Sequence, residues 1–177
     1  MVRTAEKKHD MAEVVNLRVD AERMRADFEE LTEIGATMSG GILRLALSNA
    51  DLEARLWFAN RLDESGLIVS DDDAGNLSGV LYSALPNVNK TLIIGSHLDS
   101  VPNGGRYDSA VGICAAMECL RTLRAANVHL PVHLEVVDFT DQEGAWFSLF
   151  GSRCFTGKLP ANALKDLHDP AATSAFR

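Results

Sequence analysis

Two apolar runs that each lead into metal-binding residue types constrain the fold of this chain most. The first run, Thr91 to Ile94, is followed by His97 and Asp99, and the second, Val132 to Phe139, is followed by Glu143. In extended backbone His97 and Asp99 point to the same face, because alternate side chains share a face. Imidazole and carboxylate groups are good ligands for zinc and similar divalent ions. The pattern therefore predicts two core strands that deliver a metal site at their carboxyl ends.

A third candidate ligand follows a glycine-rich loop. Asp108 comes after Gly104 and Gly105 and directly precedes residues 109–126, where apolar side chains recur at helical spacing. A carboxylate at the start of a helix faces free backbone N–H groups and the positive end of the helix dipole. We therefore expect these groups to hold the Asp108 carboxylate in place and keep it ionised.

The rest of the pattern alternates strands with helices. Such alternation predicts an α/β fold with a mostly parallel central sheet flanked by helices. In open sheets of this kind the ligand site lies outside the carboxyl ends of the strands, where His97 and Glu143 are expected. Besides the helix at 109–126 and the two core strands, helices are predicted at about 19–34 and at 52–64 with Ser48 as its cap, and strands at 67–70 and 76–85.

Composition excludes several classes of function. The net charge of −8, with scattered lysines and arginines, argues against a nucleic-acid surface, because binding to phosphates depends on clustered positive charge. No apolar run approaches the length that crosses a bilayer, so no membrane partner is expected. Three cysteines without framework spacing favour a reducing, cytoplasmic location.

The spacing of the candidate ligands resembles that of one family. Asp108 follows His97 by eleven residues, and Glu143 follows Asp108 by thirty-five. This resembles the N-carbamoyl-L-amino-acid hydrolase, allantoate amidohydrolase and β-alanine synthase branch of the aminoacylase/carboxypeptidase-like dinuclear metal hydrolases. The resemblance spans roughly residues 17–159 and also covers Ile34-Gly-Ala-Thr37, Gly40-Gly-Ile-Leu-Arg-Leu-Ala-Leu-Ser48, Asp73-Ala-Gly-Asn76 and Gly151-Ser-Arg153.

The resemblance implies a metal-dependent amidohydrolase that cleaves linear C–N bonds of N-carbamoyl amino acids or ureides such as allantoate. It implies two divalent ions, of zinc, manganese or cobalt. His97 would ligate one ion, Glu143 the other, and Asp108 would bridge them. Asp99 would accept the far N–H of His97 and fix the tautomer of the ring. Water activated between the ions would attack the carbamoyl carbon.

The chain departs from the family pattern at Gln142, where the family has a glutamate that acts as general base. A glutamine can orient a water molecule but cannot accept its proton, and a general base contributes ~10²–10⁴ in rate. The family's glycine after the bridging aspartate is likewise Ser109. Two hypotheses follow. The protein is an amidohydrolase impaired at Gln142, or it is a non-catalytic binding or interaction protein that retains the hydrolase fold.

The resemblance also predicts the domain organisation. Family members are longer, and a lid and dimerisation domain interrupts their catalytic domain. We expect a polar segment at 1–16, the N-terminal part of the catalytic domain at 17–160, and a tail at 161–177 where the lid insertion would begin. The family's two later histidine ligands have no counterpart before Arg177, so weak or partial metal occupancy is expected. The full-length form should be a homodimer, and this part alone should self-associate through exposed apolar surface.

Overall fold

Residues 16–165 are described by the computed structural model of this chain. The predicted segment at 1–16 lies outside them except for Asn16, and the predicted tail lies outside them beyond residue 165. Every predicted helix and strand that falls within 16–165 is present, with its ends shifted by a few residues. The elements are α1 (Ala21–Glu33), α2 (Asn49–Glu64), β1 (Ile68–Asp71), β2 (Leu77–Leu81), β3 (Thr91–Ser96), α3 (Ala110–Ala125), β4 (His133–Asp138) and α4 (Phe150–Phe155).

Side-chain caps define where the first two helices begin. Asp20 precedes α1, and its carboxylate accepts the backbone N–H of Arg23. Ser48 precedes α2 and accepts the N–H of Asp51, as its position in the sequence predicts. Such caps satisfy N–H groups that have no partner within the helix. The helix starts are therefore encoded locally.

The four strands form one mixed sheet in the order β1-β2-β4-β3. The α/β class with flanking helices is confirmed, but the sheet is not mostly parallel: β3 pairs with β4 in parallel, whereas β1 with β2 and β2 with β4 are antiparallel. The physical reason is connection length. Residues 72–76 make a short turn between β1 and β2, which permits only antiparallel pairing, whereas α3 supplies the long crossover that parallel strands require.

One hydrophobic core joins the three long helices to one face of the sheet. Leu134 and Val136 of β4 point into this core, which leaves Glu135 and Val137 on the opposite face. At the carboxyl end of β4, Phe139 packs edge-on against Phe155 of α4, with ring centroids 5.8 Å apart. None of the helices within the described range is both long and apolar enough to cross a membrane. The largest wholly buried core side chains are those of Leu31, Phe58, Leu62, Leu98, Ile113, Met117 and Leu120.

Candidate metal centre

Loops at the carboxyl ends of β3 and β4 bring three predicted ligands together. His97 directly follows β3, Glu143 lies in the loop after β4, and Asp108 lies just before α3. One ligand atom from each of the three side chains lies within 4.8 Å of the others. His97 Nε2 is 3.8 Å from Glu143 Oε1. A divalent ion fits this donor set, because it combines one imidazole nitrogen with two carboxylates.

The His97 ring is oriented by the residue two positions further on. Its Nδ1 donates to the backbone carbonyl oxygen of Asp99 at 2.9 Å, and the Asp99 Oδ1 atom is 3.4 Å away. With the proton on Nδ1, the lone pair is on Nε2, the atom that faces Glu143. Burial lowers the pKa of His97, but the hydrogen bonds to Asp99 and the nearby negative charges outweigh it and raise that pKa overall. Asp99 thus fixes the tautomer through its carbonyl oxygen and its carboxylate together.

The buried Asp99 carboxylate connects the two loops of the site. Its two oxygens accept the backbone N–H groups of Gln142 at 3.2 Å and Glu143 at 3.0 Å. The resemblance assigned this side chain only to the His97 ring, and its bonds to the second loop were not predicted from the sequence. Asp99 therefore positions the Glu143 backbone relative to His97.

Asp141 folds the loop that carries Glu143. Its backbone is left-handed, with φ of 52°, and its buried carboxylate accepts the N–H groups of Trp146 at 3.1 Å and Phe147 at 2.6 Å. Burial raises the pKa of Asp141, which these hydrogen bonds oppose. The Trp146 ring in turn donates through Nε1 to the Ala46 carbonyl oxygen at 3.1 Å. Glu143 thus lies on a loop whose shape is stabilised by hydrogen bonds to the buried Asp141 carboxylate.

The Asp108 carboxylate is exposed, and no hydrogen bond between residues 16 and 165 reaches it. The expectation that helix N–H groups hold it is therefore wrong. Ser109 is the N-cap residue, with φ of 60°, and the Ala110 N–H bonds to the Asp108 carbonyl oxygen at 2.7 Å. The Asp108 carbonyl oxygen thus accepts a helix N–H of the kind that the Asp108 carboxylate was predicted to bind. Both carboxylate oxygens of Asp108 remain available to an ion.

Gln142 occupies the predicted general-base position. Its amide oxygen is buried, and no donor in the described part of the chain reaches it. Buried polar atoms in folded proteins nearly always have a hydrogen-bond partner. This oxygen, on the residue that precedes Glu143, is therefore an unused acceptor that a bound water molecule would satisfy.

Two buried charged residues next to the site, Arg44 and Asp138, were not predicted from the sequence. Asp138 ends β4 and Arg44 precedes α2, and both bond to the backbone of Leu98. Burial raises the pKa of Asp138 to about 7, although the Arg55 charge lowers it. Arg44 stands within an otherwise apolar run at 42–47, and Asp138 stands between Val137 and Phe139; these were the signals available in the sequence.

The family assignment comes from a family model rather than from the site alone. Residues 76–168, which include His97, Asp108 and Glu143, match the model of peptidase family M28. The chain belongs to peptidase family M28. This membership places the three converging side chains within a family of hydrolases.

The curated relatives of this M28 chain include amidohydrolases. The N-carbamoyl-L-amino-acid amidohydrolase of Pseudomonas sp. (strain NS671) is 40% identical over 157 residues, covering 88% of this chain and 38% of the relative. The allantoate amidohydrolase of Bacillus subtilis (strain 168) is 33% identical over 148 residues, covering 82% of this chain and 36% of the relative. The resemblance to this branch of hydrolases is confirmed. The chain spans less than two fifths of the length of either relative.

Solved structures agree with the sequence relatives. The crystal structure of a hydantoinase/carbamoylase family amidase from Burkholderia ambifaria superposes with a TM-score of 0.82 at 36% identity. The match covers 91% of this chain and 39% of that one. The M28 chain therefore shares its α/β fold with one part of a carbamoylase-type amidase.

Proposed function

We propose that the protein is a metal-dependent amidohydrolase that acts on linear C–N bonds of N-carbamoyl amino acids or ureides such as allantoate. One observation carries the proposal: in a chain related to such enzymes, His97, Asp108 and Glu143 place ligand atoms within 4.8 Å of one another. Because the chain covers 38% of a relative's length, the activity is proposed for the whole protein. Residues 17–160 would be the N-terminal part of its catalytic domain, with 161–177 leading into an insertion.

The proposed cofactors are two divalent ions, of zinc, manganese or cobalt. His97 would hold one ion through Nε2, Glu143 would hold the other, and the free Asp108 carboxylate would bridge them. When bound, the ions would polarise a carbonyl group and make a water molecule more acidic. With three protein ligands for two ions, we expect weak or partial occupancy of this chain by itself.

The proposed reaction is hydrolysis of a carbamoyl C–N bond, in which Gln142 acts on the attacking water. In the proposed reaction a water oxygen bonds to the carbamoyl carbon, and the C–N bond breaks with its electron pair going to the amine nitrogen, which takes up a proton. Complete hydrolysis of an N-carbamoyl amino acid gives the amino acid, carbon dioxide and ammonia. The free amide oxygen of Gln142 accepts a hydrogen bond from water and orients it. It does not take the proton, so turnover should be slow.

The proposed partners are a small carbamoyl amino acid or ureide and further copies of the chain. We propose a homodimer for the full-length form and self-association for this part, because apolar side chains such as Leu92 and Ile94 are exposed. We propose a cytoplasmic location because all three cysteines are free thiols, which is typical of proteins in a reducing compartment.

Metal binding tests the site directly. Isothermal titration with Zn²⁺ should show that His97→Ala, Asp108→Asn and Glu143→Gln each lower affinity at least tenfold, because each removes one ligand. Asp63→Asn, an exposed aspartate near the C-terminus of α2, is the control and should leave affinity unchanged. Equal affinity in all four variants would show that these residues do not bind the ion.

Restoring the acid tests the reaction. In the whole protein, Gln142→Glu should raise the rate of ammonia release from an N-carbamoyl amino acid or from allantoate by ~10²–10⁴, the usual contribution of a general base. Its control is the same substitution combined with Glu143→Gln, which keeps the base but removes a ligand. If the single variant binds Zn²⁺ and still releases no ammonia from either substrate, the proposed activity does not reside in this chain.

A further inference from the structure

Leu98 stands between His97 and Asp99, and both of its backbone polar groups are held by buried charged side chains. Its N–H donates to Asp138 Oδ1 at 2.8 Å, and its carbonyl oxygen accepts from Arg44 Nε at 2.6 Å. The Leu98 side chain itself is wholly buried in the core. The segment from His97 to Asp99 is thus fixed at Leu98 by two hydrogen bonds and by the packing of the leucine side chain.

Asp138 connects Leu98 to the second helix. Its other carboxylate oxygen, Oδ2, accepts from Arg55 Nη1 at 2.7 Å, and Arg55 also donates to the carbonyl oxygen of Gly75. Asp138 is only 1% exposed. Burying a charge is costly unless it is paired and hydrogen-bonded, and here both oxygens have a partner. The carboxylate therefore has one stable arrangement, with Leu98 on one side and Arg55 on the other.

Arg44 connects Leu98 to the first helix. Its guanidinium is buried, and Nη1 donates to the carbonyl oxygens of Leu31 and Ile34 at the C-terminus of α1, both at 2.9 Å. The Arg44 backbone is also bonded to Ser100, whose N–H donates to the Arg44 carbonyl oxygen at 2.8 Å. No carboxylate forms an ion pair with Arg44 in the described part of the chain. Backbone carbonyl groups alone satisfy this buried cation, and one of them is that of Leu98.

These two bonds fix the orientation of the site side chains. The Leu98 N–H belongs to the peptide plane that joins it to His97, and the Leu98 carbonyl belongs to the plane that joins it to Asp99. Asp138 therefore holds the first plane and Arg44 holds the second. Resting on the proposed function, we propose that Asp138 and Arg44 are positioning residues that set the directions of the His97 ring and the Asp99 carboxylate toward the metal centre.

The chain contains a matched control for this inference. Glu118 of α3 is also wholly buried, and it also bridges an arginine and a backbone N–H group: it accepts from Arg23 Nε at 2.8 Å and from the Asp20 N–H at 2.9 Å. The N–H that it holds belongs to the cap of α1 rather than to a site segment. If Asp138 merely stabilised the fold, replacing either acid would have the same consequences.

The experiment compares Asp138→Ala with Glu118→Ala, and Arg44→Lys with Arg23→Lys. Zn²⁺ alone is titrated into each protein. We expect the substitutions at Asp138 and Arg44 to lower Zn²⁺ affinity 10–100-fold, as loss of groups that orient ligands typically does. The substitutions at Glu118 and Arg23 should lower the melting temperature but change Zn²⁺ affinity less than twofold. Equal losses of affinity in both sets would overturn the proposal.

A second measurement separates this inference from the proposed function. In metal-free protein, the ring ¹⁵N shifts of His97 report its tautomer and environment, and those of His133, at the opposite end of β4, serve as an internal reference. Asp138→Ala should shift only the His97 signals, whereas Glu118→Ala should shift neither. If wild-type protein binds no Zn²⁺ but His97 responds in this way, the metal function fails and the positioning role stands. Unchanged His97 signals overturn the positioning role. If an alanine variant does not fold, Asp138→Leu and Glu118→Met, which keep most of the side-chain volume but cannot accept the backbone N–H, provide the same comparison.

Discussion

The two edges of the sheet differ in how they are protected from pairing with another chain. The β1 edge is four residues long and runs into three consecutive aspartates, Asp71 to Asp73. The β3 edge is six residues long and uncharged, and Leu92 and Ile94 are 53% and 37% exposed. Charges and short strands protect an edge from pairing, whereas a long apolar edge invites it. Only the β1 edge carries this protection.

The backbone of β3 sharpens this difference. The carbonyl oxygen of Lys90 accepts the N–H of His133, and that of Ser96 accepts the N–H of Phe139. The even-numbered residues of β3 therefore hydrogen-bond to β4. In a parallel pair the intervening residues, Ile93 and Gly95, direct their polar groups away from the partner strand. Within residues 16–165 no strand pairs with that side of β3. The β3 edge is thus the surface on which we expect the chain to self-associate.

The largest expected effect comes from placing a charge on the open edge. Leu92→Lys should weaken self-association by roughly 30-fold, since burying an exposed half of two leucines contributes about 2 kcal/mol. The free energy of unfolding of the monomer should change by less than about 0.5 kcal/mol, as for other surface substitutions. Analytical ultracentrifugation measures the first quantity and urea denaturation the second. Ile68→Lys on the β1 edge, where the isoleucine is 57% exposed, is the control and should have no effect on association. A wild-type chain that is monomeric at all concentrations would contradict the comparison.

Amide exchange should show the same contrast residue by residue. At low protein concentration the outward N–H groups of Ile93 and Gly95 should exchange rapidly, while that of Ile94, which bonds to β4, stays protected. Raising the concentration should protect Ile93 and Gly95, because a second copy pairs with them. Hydrogen exchange followed by NMR at two concentrations measures this effect. Protection that is independent of concentration would exclude β3 as the contact.

The smallest expected effect comes from removing protection from the β1 edge. Asp71→Val should strengthen association by roughly threefold, because a cross-strand pair contributes about 0.2–1 kcal/mol and a tenfold change corresponds to about 1.4 kcal/mol. Sedimentation velocity across a dilution series is the measurement. The same substitution in the Leu92→Lys background isolates the new contact at β1. No change in either background would mean that strand length, rather than charge, protects this edge.

Local patterns in the sequence predicted the elements of the fold but not how they pair. Apolar periodicity located α1, α2, α3 and the four strands but not the short α4, and Ser48 located the start of α2. Strand direction depends on the connections, and the short turn at 72–76 was the available signal that β1 and β2 are antiparallel. Helix phase was also only partly predictable. Leu56 is 63% exposed although Trp57 next to it is buried, and Cys119 is exposed on α3 although Glu118 next to it is wholly buried.

The composition of the site was predictable, whereas its supports were not. Spacing and residue type identified His97, Asp108 and Glu143, and the structure brings them together. The bonds made by Asp99 and Asp138 depend on backbone groups from distant loops, and such contacts leave no periodic pattern in the sequence. Asp108 shows the opposite failure. A general rule about helix starts predicted a hydrogen bond that its own carbonyl oxygen replaced.

The crossover through α3 also sets the order of events in time as the chain folds. The β1–β2 hairpin closes a short loop, whereas His97 and Glu143 become neighbours only after β4 has docked beside β3 across the whole α3 connection. Closing long loops is slower and entropically more costly than closing short ones. His97 and Glu143 therefore come together only after this long-range docking step. Zinc should slow unfolding of the native protein while leaving the rate of refolding nearly unchanged.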